Sequence, residues 1–188
     1  MREGFRVIYD DSANAELARA SAPRKKATGQ ESYPVCALTF SGSWSLPSSE
    51  DTAFEGLGLD GNDAELMLGY ERLATALLGH APTPSDARLE QPLHHLLGYP
   101  EIIQSDMKLE VQLVTHGLYV GDGSGFRVAR AAELRAGARE WTLLLQIDSD
   151  DGCPGWMWGD VGRLYFWIRR QDLAARRFSN AWMILQCY

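Results

Sequence analysis

Five of the chain's six tryptophans fall in its last 48 residues, 141–188, which read WTLLLQIDSDDGCPGWMWGDVGRLYFWIRRQDLAARRFSNAWMILQCY. Rings of that size are on average highly buried, so this stretch predicts a tightly packed core at the C-terminal end. Residues 141–147 are apolar on both faces apart from Thr142 and Gln146, the pattern of a central strand. The run 163–168 reads as its antiparallel partner. Alternation puts Leu164, Phe166 and Ile168 on one face and Tyr165 and Trp167 on the other. A short helix over 171–177 and a closing strand over 182–188 complete the unit.

Upstream the elements are shorter. Residues 5–9 and 35–40 are β-prone runs and predict strands, 13–20 can form a two-turn helix, and 21–34 reads as a polar surface loop. The clearest helix spans 63–78. Asn62 is placed to cap it with Glu65 in capping-box position, Leu66, Tyr70, Leu73 and Leu77 form one apolar stripe, and Gly79 can end it in a left-handed conformation. Residues 107–114 fit either strand or helix and lean to helix. Residues 117–125 read as loop and 131–136 as a short helix. The segmentation is a single domain, 1–188, made of a strand and helix segment (1–80), a linker (81–96) and a core (97–188). The fold class is α+β, an antiparallel sheet with a few packed helices.

Composition narrows the function classes. With a net charge of -7 and a pI near 5.1, the surface repels phosphate backbones, and the basic runs Arg24-Lys25-Lys26, Arg169-Arg170 and Arg176-Arg177 are too short to reverse that. No nucleic acid is expected as a partner. No apolar run approaches the roughly 20 residues needed to span a bilayer, and 1–11 has no signal-peptide core, so no membrane is expected and the chain is read as cytoplasmic. Cys36, Cys153 and Cys187 are odd in number and lack CxxC spacing, which fits reduced thiols in that compartment.

The motif set Leu97-Gly98-Tyr99-Pro100, Ile103-Gln104, Gln112-Leu113, Leu145-Gln146-Ile147-Asp148, Met157-Trp158-Gly159-Asp160, Gly162-Arg163-Leu164-Tyr165-Phe166 and Leu185-Gln186-Cys187-Tyr188 resembles the YwqG-like family of bacterial proteins, and it covers most of the chain. That family has no established activity. The resemblance implies an immunity or partner role in a bacterial toxin system. Relatives begin with an earlier half that echoes 97–188, so the resemblance also implies a shortened form here. An uncovered sheet edge or core face would then be covered by self-association or a protein partner.

Two constellations carry candidate chemistry. The acidic turn Asp148, Asp150 and Asp151, with Asp160 nearby in sequence, groups carboxylates that can hold a divalent metal ion or split into acid and base, the basis of a metal-dependent hydrolase. It lacks the EF-hand spacing, and its simpler reading is a hydrated turn. Trp156 and Trp158 lie in a glycine-rich connection where large apolar rings need a reason. They suit a protein-binding or glycan-stacking platform if exposed and packing if not. His94 and His95 read as a surface pair, and 121–125 is neither a dinucleotide fingerprint nor a P-loop. With no nucleophile motif present, the favoured reading is a non-catalytic protein-interaction module without a cofactor.

Overall fold

The computed structural model describes residues 4–18, 33–49, 51–55, 63–79 and 92–188. The fold is α+β. Its centre is a four-stranded antiparallel sheet of β1 (His95–Leu96), β2 (Trp141–Asp148), β3 (Arg163–Arg169) and β4 (Trp182–Gln186), in that order across the sheet. Among the described residues the α-helices are α1 (Thr52–Glu55), α2 (Ala64–Leu78), α3 (Lys108–Thr115), α4 (Ala129–Leu134) and α5 (Arg170–Ala174). The ambiguous run at 107–114 is therefore helical, and the 131–136 turn extends from α4 into a 3-10 helix over Arg135–Glu140.

One irregularity decides what the sheet buries. β2 and β3 pair from Trp141↔Arg169 to Asp148↔Arg163, with a register shift between Leu143 and Leu145. Leu144 is the extra residue of this bulge, and a bulge reverses the alternation of side chains beyond it. Unbulged, Trp141, Leu143, Leu145 and Ile147 would share a face. Instead Trp141, Leu143, Gln146 and Asp148 are the buried set. Facing them are Arg163, Tyr165 and Trp167 of β3 and Ile184 and Gln186 of β4, all buried. Ile102, Met107 and Val111 pack down on this face and close the main core with Trp141, Leu143, Tyr165, Trp167 and Ile184. A smaller cluster joins Leu113 of α3 to Ala131 and Leu134 of α4.

The glutamines that face inward hold the segment covering the core. Gln146 accepts from the Glu101 N–H at 2.9 Å and donates to the Leu93 carbonyl at 2.7 Å. Gln186 accepts from the N–H groups of Ile103 and Gln104 and donates to the Ser105 carbonyl. Arg163 and Tyr165 both donate to the Glu101 carbonyl. Burial pushes the Tyr165 phenol far above its ordinary range, so it stays a neutral donor. This lattice satisfies backbone groups that a coil segment would otherwise bury unpaired.

Several expectations need correction. Residues 5–9 form no strand. They cross the outer face of the sheet as coil, with the Phe5 ring edge-on to Phe166 and Trp182 and Tyr9 stacked on Phe178. Residues 35–40 likewise have no strand partner among the described residues. Of 13–20, only Asn14–Glu16 is helical, and 19–20 lies outside the described residues. Asp63 caps α2, its side chain accepting from the N–H groups of Glu65 and Leu66, while Asn62 lies outside the described residues. Gly79 does close α2 at φ 81°. The stripe along α2 is only partly covered, with Leu73 and Leu77 exposed and Ala74 the buried residue. Within the stretch read as a linker, 81–96, the last residues pair with β2 through His95↔Gln146 and Leu96↔Leu145. Cys36 and Cys153 form a disulfide rather than two thiols, and Cys187 is free.

Burial also leaves one charge at a cost. Glu110, in the first turn of α3, has its carboxyl pKa raised by desolvation. A carboxyl whose folded pKa lies above its unfolded value destabilises the folded state once it ionises, and the cost vanishes where both states are protonated. Glu110→Gln is therefore expected to raise the melting temperature at pH 7, with the two curves converging by about pH 4. Melts of both proteins across that range check the sign.

Candidate functional site

The connection 149–162 between β2 and β3 follows Asp148, the last residue of β2, which is 7% exposed. Its carboxylate pairs with Arg163 Nε at 3.0 Å and accepts from the N–H groups of Leu93 and Ser149. Burial alone would lower the Arg163 pKa, but Asp148, with smaller help from nearby Tyr165 and Tyr188, turns the net shift upward. Arg163 is thus a permanent cation, and Asp148 is its counter-ion.

The two tryptophans fold back onto the same residue. The indole N–H groups of Trp156 and Trp158 both donate to the Asp148 carbonyl, at 2.9 and 3.2 Å. Their rings lie 5.3 Å apart. Ser149 links the two ends of the connection, its hydroxyl donating to the Gly162 carbonyl and accepting from the Trp158 N–H. Gly162 sits where a Cβ would overlap the carbonyl oxygens of Gln186 and Trp158, so the chain can close there only without a side chain. Val161 is held at φ 49°, a strained conformation for a β-branched residue that its surroundings must maintain.

The predicted site residues therefore separate. Asp148 is committed to Arg163 and to backbone amides. Asp150 accepts from the Gly152 N–H, closing the turn. Its other oxygen lies 3.6 Å from His94 Nε2. Because His94 Nδ1 accepts from the Asp148 N–H, the neutral ring carries its proton on Nε2, facing Asp150. Asp151 and Asp160 are exposed on the connection. Among the described residues no group of three or more His, Cys, Asp or Glu side chains is arranged to hold a metal ion. Trp156 and Trp158 are brought together, half-buried, with their donors satisfied and parts of their rings open.

The surface around Trp156 was not legible in sequence. Tyr33 and His94 both meet its ring edge-on, at 5.9 and 6.2 Å between centroids. The Cys36–Cys153 disulfide, spanning 117 residues, fastens the extended segment 33–46 to the connection. Along that segment Val35 is 81%, Leu38 75%, Phe40 78% and Trp44 78% exposed. Nearby on the connection, Met157 is also exposed. Gln146 and Gln186 were missed too, although a lone glutamine in an otherwise apolar strand is a signal that its side chain must find partners.

A family model described as a domain of unknown function (DUF1963) matches residues 1–187. No curated protein matches the chain. No helix among the described residues is long and apolar enough to cross a membrane.

Proposed function

The chain belongs to the DUF1963 family, and on that premise we propose that it is a single-domain, non-catalytic protein-binding module of the YwqG-like type. Its contact surface is the segment 33–44 together with Trp156, Trp158 and Met157. One observation carries this reading: four large apolar side chains, Val35, Leu38, Phe40 and Trp44, stand at least three-quarters exposed on one short segment beside a pair of half-buried tryptophans. Single exposed apolar residues need no explanation, but a run of them beside tryptophans is typical of interface hot spots. The connection's carboxylates, Asp150, Asp151 and Asp160, and the chain's net charge of -7 favour a basic protein partner over nucleic acid. An immunity-type complex with a basic bacterial toxin in the cytoplasm is the specific form we favour. Self-association through the same strip is the other form of partnership. The satisfied indole donors leave the tryptophans to act through their ring surfaces, which suits apolar protein contact better than hydrogen-bonded glycan recognition.

The triple variant Val35→Ser/Phe40→Ser/Trp44→Ser tests the surface. Surface substitutions usually leave stability within about 0.5 kcal/mol, so its melting temperature should match the wild type. Binding of the partner recovered from the native host should weaken about 30-fold or more, the loss of roughly 2 kcal/mol that defines a hot spot. Equal binding by both proteins, or no stoichiometric partner and no concentration-dependent self-association in sedimentation, would count against the reading.

A further inference from the structure

We propose that the Cys36–Cys153 disulfide is a reducible latch that sets the position of the apolar segment 33–44, and so controls the contact surface. The proposal rests on the protein-binding reading only for what the latch controls, since the latch can be observed without a partner.

Among the described residues the segment has few other ties. Among the described residues, 33–46 makes no backbone-to-backbone hydrogen bond and belongs to no helix or strand. Among the described residues its ties to the rest of the fold are the disulfide, the Tyr33 ring on Trp156, and Ser45, whose hydroxyl accepts from the Tyr99 N–H at 3.0 Å. Ser45 anchors the downstream end, so the bond at Cys36 fixes the upstream end and stretches the apolar residues between the two points. The core that carries the other end is independent of this link. The connection is already closed on itself through Ser149, Asp150 and the indoles of Trp156 and Trp158. Breaking the bond therefore frees the segment without dismantling the connection.

The bond is also placed for exchange. Cys153 is exposed and Cys36 half-buried, so an incoming thiolate reaches the Cys153 sulfur. Asp150 and Asp151 lie beside Cys153 in sequence, and neighbouring carboxylates disfavour a thiolate there. Attack at Cys153 with Cys36 leaving keeps the expelled charge off the acidic turn. A dithiol reductant supplies the electrons. Its first thiolate bonds to the Cys153 sulfur as the Cys36–Cys153 bond breaks, and Cys36 leaves as a thiolate and takes up a proton. The second thiol of the reductant then displaces Cys153, leaving two cysteine thiols and one oxidised dithiol. In a reducing compartment such a bond forms only transiently, which is the usual setting of a redox sensor.

The test uses the full chain with dithiothreitol as the dithiol. Alkylation and peptide mapping of protein equilibrated in air should find Cys36 joined to Cys153 and Cys187 alkylated, and after reduction all three cysteines alkylated. Chymotryptic cleavage after Phe40 should accelerate about tenfold on reduction, as a tethered segment gains the freedom to enter a protease. The 19F resonance of 5-fluorotryptophan at Trp156 should move as Tyr33 departs, with those of the buried Trp141 and Trp167 unchanged. Cys36→Ser and, separately, Cys153→Ser should reproduce the reduced behaviour without reductant, and Cys187→Ser should not. Alkylation of Cys36 and Cys153 even after treatment with an oxidant would overturn the proposal. So would identical cleavage rates and an unmoved Trp156 resonance in the two redox states. Should the latch open as described while the triple serine variant still binds every partner normally, the latch stands and the contact surface is what fails.

Discussion

Asp148→Ala is expected to lower the folding free energy by about 3–5 kcal/mol, the loss seen when one member of a buried ion pair is removed. The reason is what stays behind. Arg163 is 7% exposed and would keep its charge with no counter-ion. The Leu93 N–H would lose its acceptor as well, whereas the Ser149 N–H would keep the Gly162 carbonyl at 3.1 Å. Asp148→Asn should cost less, because the amide oxygen still accepts a hydrogen bond although the charge is gone. The double variant Asp148→Ala/Arg163→Ala should be less damaging than the sum of the two single changes, since it removes the stranded cation. Urea denaturation checks all of these. The midpoints should move with the slope unchanged. A carboxylate kept for metal binding would give a different pattern, with little loss of stability in the metal-free protein.

Gln146→Leu should cost about 2–4 kcal/mol, although leucine has similar volume and the strand is otherwise apolar. Gln146 is fully buried, and its amide serves the Glu101 N–H and the Leu93 carbonyl. Leucine leaves both backbone groups unpaired, each worth roughly 1–3 kcal/mol when buried without a partner. Amide exchange should speed up over 93–105 more than in β3, because the substitution releases the covering segment before it weakens the sheet. A neutral or stabilising result would contradict a buried Gln146 that holds the covering segment.

That bulge also marks where reading the sequence ran out. β2, β3 and β4 were legible because their side chains alternate and their apolar density is high. The helix at Ala64–Leu78 was legible from its spacing and from Gly79. No local pattern announces that Leu144 is an extra residue, however. Without it, alternation would turn Gln146 and Asp148 away from Trp141 and Leu143. The acidic turn then looks like a free cluster instead of a counter-ion at a strand end. The β-prone runs at 5–9 and 35–40 failed for a related reason. A strand exists only when a partner supplies its ladder, so propensity alone could not tell a paired run from an extended coil. The disulfide joins cysteines 117 residues apart, a pairing set by tertiary structure that spacing cannot reveal. Of the candidate site, Trp156 and Trp158 were found as a conspicuous pair. The apolar segment that joins them was read only as a strand and a loop.

On the proposed reading the acidic connection is a structural bracket that displays a contact surface, with Asp148 spent on the buried Arg163 and on backbone amides and Asp150 on the Gly152 N–H. Calorimetric titration of the chain, purified without chelator and with its metal content measured beforehand, with Mg2+, Ca2+ and Mn2+ up to millimolar concentration tests this most directly. The expected result is no bound metal at the start, no saturable heat, and no change in melting temperature. A saturable isotherm for the wild-type chain that disappears in Asp148→Asn, with a melting temperature that rises with the ion, would contradict it and return those carboxylates to metal chemistry.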